Sequence, residues 1–425
     1  MAELHADIIV VGAGPAGLAA AACAAESGKR VLVLDESPRP GGQIWRHRER
    51  RSLPMLAQRW LERFDRSGAK LISGASVIDI TPGAVLADRE GEAINARAEA
   101  IVLCVGAREL FLPFPGWTLP GVVGVGGGQA LLKAGTSVAG KTAVIAGTGP
   151  LMLPVAAAFA KAGANVRLVA DQAPLARMAS FALGLWRSPA KVLDGARYRS
   201  AFARTPYKTG TWVTRANGDE VVREVVITDG RNTQTLACDI LCVGYNLVPS
   251  VELPRLAGCG LDEHGNVIVD ERQQSTQPGV FCAGETTGLG GVDAALVEGQ
   301  IAGYAAAGVF DRAQRHFAER AKWRAFAQRL KHTFALRDEL KKLPDANTIV
   351  CRCEDVRYGQ LAACASQRDA KLHTRAGMGA CQGRICGAAL RHHFGWKADT
   401  IRTPIAPVPV STLSARGTEP VSAGG

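Results

Sequence analysis

The chain has 425 residues, of which 47% are hydrophobic, so it is long enough to form two or three domains. Its net charge is +11, but the Lys and Arg residues are dispersed and form no compact basic-aromatic patch, so a nucleic-acid-binding protein is not expected. The sequence has no run of 18 apolar residues, so a membrane span is not predicted. Its first residues lack the basic segment and the cleavage site of a secretory signal. These features predict a cytoplasmic protein, either free or peripheral at the inner membrane.

The first segment has the pattern of a dinucleotide-binding unit. Asp7 to Val11 predicts a buried strand, which is followed by GAGPAG, an Ala-rich helix ending near Gly28 and a second strand. In such a turn the first glycine permits a tight bend, the second lets the backbone approach a pyrophosphate, and the third lets the helix pack on the strand. The helix N-terminus then offers N–H groups to the phosphates. The pattern predicts a dinucleotide site at Gly12, Gly14, Pro15, Ala16 and Gly17.

Two neighbouring acids are candidates for binding the ribose hydroxyls of that dinucleotide. Counting forward from the glycines favours Asp35, whereas counting back from Gly41–Gly42 favours Glu36. Both alternatives stay open at this stage.

The middle of the chain repeats the plan. Lys141 to Asp171 predicts strand, turn, helix and strand, and Gly147 and Gly149 match the first two glycines of the turn. The third position is Met152, whose bulk should push the helix from the strand and narrow the pocket. A second nucleotide-binding domain is therefore predicted, and its ligand is left open between a nicotinamide, another nucleotide and none. Neither nucleotide segment contains a CxxC, which argues against the dithiol chemistry of thioredoxin or glutathione reductase.

Four of the eleven cysteines stand in two close pairs after a charged helical connector that ends at Pro344. Cys351 and Cys353 are separated by one residue, and Cys381 and Cys386 by four. Four thiolates suit zinc or an iron–sulfur cluster, although zinc ribbons prefer two residues inside each pair. Purely structural cysteines are the third alternative. The remaining cysteines are predicted to be buried small residues or, for Cys364, a helix-face residue.

Part of the sequence resembles flavoproteins with two dinucleotide domains, in which the first site holds FAD. The segment LDESPRPGGQ carries the resemblance in the first hundred residues, and it implies that Gly42 and Gln43 lie at the cofactor. TQPGVFCAGETTGLGG resembles the second FAD signature and implies that Gly284 and Glu285 lie at the ribityl chain and pyrophosphate. The family usually has Asp where this chain has Glu285. LCVGA, with Gly106, and LCVGY resemble the strands at which the chain crosses between the two domains.

The CxC…CxxxxC spacing, with helices between the pairs, resembles the bacterioferritin-associated-ferredoxin-like domain. That resemblance implies that a 2Fe–2S cluster is held by Cys351, Cys353, Cys381 and Cys386. A flavin accepts two electrons together and such a cluster passes one at a time, so the combination suits an electron relay.

Residues 8 to 386 together resemble the alpha subunit of dye-linked amino- and imino-acid dehydrogenases. That group includes chains of D-hydroxyproline dehydrogenase, opine oxidase, hydrogen cyanide synthase and hetero-oligomeric L-proline dehydrogenase. The segments VVGAGPAGLAAA, AGTGPLMLPVA, VCRCEDV and TRAGMGACQGRICG carry the resemblance. It implies a flavoprotein beta subunit that oxidises the substrate, with room for FMN at the subunit interface and for a small gamma subunit. Electrons would then reach a quinone or dye acceptor. No convincing set of acid and base residues is found, so the catalytic residues stay unknown. His47, His392 and His393 are interpreted as surface groups or as groups that support other residues.

The expected fold class is therefore α/β, a two-dinucleotide-domain flavoprotein of the glutathione- and thioredoxin-reductase type with a small helical 2Fe–2S domain. The predicted ranges are 1–120 with 245–310 for the FAD domain, 121–244 for the second nucleotide domain, 311–345 for the connector, 346–400 for the cluster domain and 401–425 for a tail. Two other functions compete with the relay: a self-contained NAD(P)H-dependent ferredoxin-type reductase, and an iron-sensing or scaffold protein without chemistry.

Overall fold

The structure, a computed structural model, describes residues 3–397 and 400–415. Its strands are β1 (Leu4–His5), β2 (Ile8–Val11), β3 (Val31–Asp35), β4 (Lys70–Ser73), β5 (Ser76–Thr81), β6 (Ala84–Arg89), β7 (Glu92–Arg97), β8 (Ala100–Leu103), β9 (Ala107–Glu109), β10 (Val122–Gly124), β11 (Thr142–Thr148), β12 (Asn165–Asp171), β13 (Tyr207–Thr209), β14 (Trp212–Asn217), β15 (Glu224–Thr228), β16 (Thr233–Ala237), β17 (Ile240–Tyr245), β18 (Leu247–Pro249), β19 (Val280–Cys282), β20 (Ile349–Cys351) and β21 (Val356–Arg357).

Its helices are α1 (Pro15–Ala25), α2 (Met55–Ser67), α3 (Val125–Lys133), α4 (Met152–Lys161), α5 (Leu175–Gly184), α6 (Pro189–Ala201), α7 (Glu252–Leu256), α8 (Gly291–Ala306), α9 (Phe310–Gln314), α10 (Phe317–Thr333), α11 (Tyr358–Ala362), α12 (Gln367–Thr374), α13 (Cys386–Phe394) and α14 (Val410–Ser414). Short 3₁₀ turns occur at Arg50–Ser52, Leu185–Arg187, Gly284–Thr286 and Asp338–Lys342. Within the described ranges, no helix is both long and apolar enough to cross a membrane.

The described chain divides into two compact units. Unit 1 comprises residues 3–107, 249–327 and 400–415, and unit 2 comprises residues 108–248 and 328–397. Each unit contains a five-stranded parallel sheet, so the α/β class predicted from the repeated strand–turn–helix pattern is confirmed.

Unit 1 is built on the parallel sheet in the order β19-β8-β2-β3-β4, beside a four-stranded sheet in the order β1-β7-β6-β5. Strand β2 is fully buried and pairs with β3 and β8 in parallel, which places Val11 opposite Leu34 and Leu103. The following helix, α1, starts at Pro15 and is buried along most of its length because its residues are small. The predicted strand and Ala-rich helix are therefore confirmed.

Helices α1 and α8 approach each other closely through glycines of α8. A Cβ atom added at Gly299 would lie 2.2 Å from the carbonyl oxygen of Ala16, and one added at Gly303 would lie 2.2 Å from that of Ala20. Since real Cβ atoms do not come within 3.0 Å of such atoms, only glycine permits this helix spacing. The contact fixes the N-terminal turn of α1, which faces the predicted FAD site.

The segment predicted as a C-terminal tail belongs in its described part to unit 1. Thr403 donates from its hydroxyl to Asp79 at 2.6 Å, Ile405 is buried in the core, and α14 hydrogen bonds to Asp88 through Thr412. Residues 416–425 of the predicted tail, and Ala398 and Asp399 of the predicted cluster range, lie outside the described residues.

Unit 2 is built on the parallel sheet in the order β10-β17-β11-β12-β13, with a three-stranded antiparallel sheet of β14, β15 and β16. Residues 346–397, predicted as a separate cluster domain, have a small core of their own around Val350, Leu361 and Leu390. They nevertheless belong to unit 2, where Trp117 donates its indole N–H to the carbonyl of Ile349 at 2.6 Å. The sequence ranges are bounded by cofactor motifs, whereas the two units are defined by which residues pack together, so the two sets of boundaries differ.

Candidate functional site

The Gly-rich turn after β2 has the geometry expected of a dinucleotide turn. Gly12 has a φ of +97°, and a Cβ atom there would lie 2.4 Å from the carbonyl oxygen of Cys104. A Cβ atom at Gly17 would lie 1.8 Å from the carbonyl oxygen of Gly12, so glycine is required where α1 packs on the turn. Gly14 precedes the helix and provides no side-chain cap, and Pro15 stands at the first helical position. The N-terminus of α1 is thus left open to an anionic group.

The loop after β3 lies against this turn. Gly42 has a φ of +59°, and a Cβ atom there would lie 3.0 Å from the Cα atom of Gly14, so the two backbones meet with no side chain between them. The next residue, Gln43, is exposed. The structure therefore brings the two predicted FAD segments of the first hundred residues together.

Asp35 and Glu36 have different environments. Asp35 is buried, and its carboxylate accepts hydrogen bonds from the backbone N–H of Ala13 and, at 2.7 Å, from that of Ser37. One oxygen therefore holds the Gly-rich turn against the end of β3, and the other holds the loop that follows β3. Glu36 is exposed, and its carboxylate has no hydrogen-bond partner among the described residues. The environment favours Glu36 as the acid free to accept from a ribose hydroxyl, with Asp35 bracing the turn.

The second predicted signature lies at the end of β19, which pairs with β8 in the same sheet as β2. Gly284 has a φ of +79°, and a Cβ atom there would lie 2.9 Å from the Cβ of Ala16 at the start of α1. Burial raises the pKa of Glu285, and none of the described residues hydrogen bonds to its carboxylate. The hydroxyl of Thr286 is also buried, and no other described residue hydrogen bonds to it. Such unpaired polar groups fit a site that receives the hydroxyls of a cofactor.

A buried carboxylate that sequence reasoning missed supports this second signature. Glu298, on α8, accepts from the backbone N–H of Gly284 at 3.1 Å and from the hydroxyl of Thr287 at 2.8 Å. Arg324 on α10 donates to Glu298 at 3.1 Å and to the buried Gln273 at 2.9 Å. The signal available in the sequence was a single acid within an otherwise small and apolar helical stretch, ALVEGQIAG.

The second nucleotide turn differs from the first in its helix. Gly147 has a φ of +137°, and a Cβ atom there would lie 1.8 Å from the carbonyl oxygen of Gly244, so it keeps the role of the first glycine. Helix α4 begins only at Met152, the position that corresponds to Gly17 rather than to Pro15. Met152 is buried in the hydrophobic core with Val155. The helix therefore starts later at the bulky residue than at the glycine of the first turn. The narrowed pocket expected from Met152 stays a prediction.

The acid at the end of β12 is occupied by the protein itself. Asp171 is fully buried, and its carboxylate accepts from the hydroxyls of Thr148 at 3.0 Å and Tyr207 at 3.1 Å and from the N–H groups of Gly149 at 3.3 Å and Ala173 at 2.8 Å. Burial raises the pKa of Asp171, although these four donors oppose the shift. In dinucleotide domains this position commonly binds a ribose. Here neither oxygen is left for one.

A segment that follows α10 covers the same strand ends. Gln172, also fully buried, donates to the carbonyl of Ala335 at 3.2 Å and accepts from the N–H of Arg337 at 3.2 Å. Asn246, after β17, donates to the carbonyl of Phe334 at 3.1 Å. The carboxyl ends of parallel strands are where open α/β sheets bind nucleotides, and residues 334–337 lie across them in unit 2.

The four cysteines that form two close pairs in the sequence are paired differently in the structure. The thiols of Cys351 and Cys386 hydrogen bond to each other, and so do those of Cys353 and Cys381. Each pair therefore joins one cysteine of CRC to one of CQGRIC. Cys351 and Cys386 are buried, Cys381 is half-buried and Cys353 is exposed. In the described ranges, no group of three or more His, Cys, Asp or Glu side chains is placed so that it could hold a metal ion.

The surroundings of the buried pair favour one thiolate. The pKa of Cys351 is lowered to about 6 because its sulfur accepts a hydrogen bond from Cys386 and one from the N–H of Gly377, 3.5 Å away. The pKa of Cys386 is raised because its thiol donates that bond and is buried. A Cβ atom at Gly379 would lie 2.2 Å from the Cβ of Cys353, so the glycines of AGMGACQG let the two cysteine segments close on each other.

The other cysteines and the histidines take no part in these sites. The six cysteines predicted to be buried are buried, which confirms that expectation: Cys23, Cys104, Cys238, Cys242, Cys259 and Cys282. Cys364 is half-buried and hydrogen bonds to the carbonyl of Gln360. His47, His392 and His393 are half-buried, and burial lowers the pKa of His392 to about 4.

Comparison with known proteins agrees with this geometry. Residues 6–307 match the family described as pyridine nucleotide-disulphide oxidoreductase. Hydrogen cyanide synthase subunit HcnB of Pseudomonas aeruginosa is 31% identical over 97% of this chain and 99% of its own length. An opine oxidase subunit of Rhizobium meliloti is 31% identical over 96% of this chain and 98% of its own length.

Solved structures show the same fold. L-proline dehydrogenase from P. horikoshii superposes with a TM-score of 0.67 at 19% identity, over 97% of this chain and 80% of that one. Thioredoxin reductase from T. acidophilum superposes with a TM-score of 0.57 at 22% identity, over 72% of this chain and 99% of that one. At these identities the likeness concerns the fold alone, and it confirms the thioredoxin-reductase type expected from the two dinucleotide turns.

Proposed function

The chain belongs to the pyridine nucleotide-disulphide oxidoreductase family, in the group that includes HcnB of hydrogen cyanide synthase and the related opine oxidase chain, and we propose that it is the electron-transfer subunit of an amino- or imino-acid dehydrogenase. Its family makes it an oxidoreductase and implies FAD. The proposed donor is a C–N bond of the D-hydroxyproline, proline, opine or glycine type. One observation carries the proposal: an FAD-type turn and two pairs of thiols stand on a single chain.

The residues at the first turn fit FAD. The open N-terminus of α1 can receive the pyrophosphate, Glu36 can accept from the ribose, and the unpaired Glu285 can accept from a cofactor hydroxyl. Gly106 stands where the chain leaves unit 1, with a φ of +67° that favours glycine. Bound FAD supplies two-electron acceptance and one-electron release. The protein's part is to hold the cofactor through backbone groups and to fix the Gly284 turn through Glu298.

The four cysteines fit a two-iron cluster better than a single ion. A mononuclear site needs three or four ligands around one point, whereas a 2Fe–2S cluster takes two thiolates at each of two irons. Each of the two thiol pairs joins one cysteine of CRC to one cysteine of CQGRIC, so the four cysteines can provide two thiolates for each iron of a 2Fe–2S cluster. We propose Cys351, Cys353, Cys381 and Cys386 as its ligands, supplying one-electron transfer, with Cys364 excluded.

The substrate is proposed to be oxidised on a partner flavoprotein, the beta subunit. HcnB and the opine oxidase relative are both named as subunits, which supports a partner for this chain. A small gamma subunit, FMN at the subunit interface and a quinone or dye acceptor complete the proposal. The cytoplasm is its proposed location.

A self-contained NAD(P)H-dependent reductase is the alternative, and the second nucleotide turn is the feature that suggests it. The occupied Asp171 and the segment over the strand ends weigh against a nicotinamide there, so Gly147 and Gly149 are proposed to have a structural role.

The test is to add NADH or NADPH anaerobically to the purified chain with its FAD and to follow the flavin absorbance. We expect the flavin to stay oxidised, and to bleach only in the presence of an amino or imino acid together with the beta subunit. Bleaching by NADH or NADPH at a catalytic rate would replace the relay by the reductase, and turnover of the amino acid by the chain without a partner would also contradict it.

A further inference from the structure

An exposed helical insert occupies the connection between β12 and β13, residues 172–206. It contains α5, a 3₁₀ turn and α6, and neither α5 nor α6 contributes a buried residue. The matching connection in unit 1, between β3 and β4, contains α2, which buries Ala57, Leu61 and Phe64. Ala173 and Phe202, which flank the two helices, are buried, but α5 and α6 do not bury apolar side chains of their own as a crossover helix normally does.

The insert nevertheless carries large apolar side chains. Leu183 is 79% exposed, Trp186 73% and Leu193 71%. The exposed large apolar residues of this one segment are Leu175, Leu183, Trp186, Val192, Leu193 and Tyr198. Soluble proteins rarely leave such groups together in water unless another surface covers them.

The charge of the insert selects among partners. It has six basic residues, at positions 177, 187, 191, 197, 199 and 204, against the single acid Asp194. A second copy of this chain would bring the same positive segment, on a chain of net charge +11, against itself. Leu and Trp side chains interleaved with Lys and Arg on helices are instead the composition of segments that lie in the headgroup region of an anionic bilayer.

We propose that the two helices of the insert, α5 and α6, together with the 3₁₀ turn between them, bind the surface of an anionic phospholipid membrane. Leu183, Trp186 and Leu193 enter the headgroup boundary, while the side chains of Arg177 and Arg197 lie against the lipid phosphates. This surface is independent of the electron-transfer proposal, because it rests on exposure and charge alone. It would place the chain at the membrane surface.

The experiment uses the purified full chain with its FAD, alone and in complex with its partner subunit. Each is sedimented with vesicles of phosphatidylcholine containing about 30% phosphatidylglycerol, and with vesicles of phosphatidylcholine alone. We expect binding to the anionic vesicles, with release in about 0.5 M salt because the attraction is partly electrostatic. Replacing both Leu183→Ser and Trp186→Ser should lower binding by roughly tenfold or more, since two large apolar side chains no longer enter the lipid.

Two further variants make the result specific. Leu372→Ser replaces a leucine that is 71% exposed on α12, outside the insert, and should leave binding unchanged. The pair Arg177→Glu and Arg197→Glu should reduce binding to anionic vesicles. Equal binding to neutral vesicles, equal binding by the Leu183→Ser/Trp186→Ser variant, or no binding by any form would overturn the proposal. Loss of the partner subunit from that variant, with no lipid binding by the complex, would identify the insert as a protein–protein interface instead.

Discussion

The contact between α1 and α8 makes a sharp prediction about a single methyl group. In Gly299→Ala the new Cβ would start 2.2 Å from the carbonyl oxygen of Ala16 and 2.9 Å from its Cα and carbonyl carbon. These are backbone atoms that cannot rotate away, so the helices must separate by roughly 1 Å to restore ordinary contact. Overpacking of this kind costs about 1–3 kcal/mol, and the better helix propensity of alanine returns up to about 1 kcal/mol.

We therefore expect Gly299→Ala to lower the free energy of unfolding by about 1–2 kcal/mol and to weaken FAD binding, because α1 carries the turn that faces the predicted FAD site. Urea unfolding followed by protein fluorescence, together with the flavin fluorescence released on cofactor loss, measures both effects. Gly195 on α6 is the matched control, since a Cβ atom there meets nothing within 4 Å. Gly195→Ala should stabilise the chain by up to about 1 kcal/mol and leave FAD binding unchanged. Equal effects of the two substitutions would refute the close-packing argument.

Three further predictions concern the two cofactor sites and the second nucleotide domain. Cys351→Ser should remove the iron measured by metal analysis and leave the flavin in place, whereas Cys364→Ser should change neither; retained iron in the first variant would exclude Cys351 as a ligand. The buried carboxylate of Glu298 accepts hydrogen bonds from the Gly284 N–H, the Thr287 hydroxyl and Arg324, whereas the amide in Glu298→Gln accepts at only one atom. FAD should therefore bind roughly tenfold or more weakly to this variant in a flavin titration. Unchanged affinity would show that the second signature holds its shape without the carboxylate. Asp171→Asn should destabilise the protein by about 2–4 kcal/mol in thermal unfolding, and by more than Tyr207→Phe does. The reason is that the two carboxylate oxygens accept from four donors, and in the variant one of these oxygens is replaced by an amide group that donates. A smaller loss of stability than in Tyr207→Phe would contradict the structural role proposed for Asp171.

The first nucleotide turn could be predicted from sequence because its requirements are local. The strand, the glycines and the helix follow one another within residues 8–25. Gly12 and Gly17 are each required by a close contact with a residue of the same turn or at the end of a neighbouring strand. The burial of six cysteines could also be predicted, because each stands in an apolar or Gly-rich stretch of the sequence.

The choice between Asp35 and Glu36 could not be made from sequence, because it depends on which carboxylate the backbone N–H of Ala13 reaches. That contact joins residues 22 positions apart and is set by the pairing of β2 and β3. The spacing of the motif leaves two neighbouring acids as candidates. The direction of each side chain shows that Asp35 holds the turn, and the ribose-binding role of Glu36 stays a proposal.

The second nucleotide domain shows the limit of motif reasoning more strongly. The sequence reveals Met152 in a glycine position, but not that Gln172 hydrogen bonds to Ala335, 163 residues further along the chain. Likewise, the support of Gly284 by Glu298 and Arg324 joins three separate segments of unit 1. Long-range polar contacts of this kind leave no local pattern, apart from the single acid within an apolar helix.

The central claim, that this chain pairs a flavin with a 2Fe–2S cluster, is tested most directly by anaerobic purification followed by flavin, iron and sulfide analysis and by EPR spectroscopy on stepwise reduction. The account predicts one flavin and about two iron and two sulfide per chain, with a spin-one-half signal that appears after one-electron reduction and is absent from Cys351→Ser. A flavin-containing chain with one zinc, or with no metal bound to the four cysteines, would contradict it.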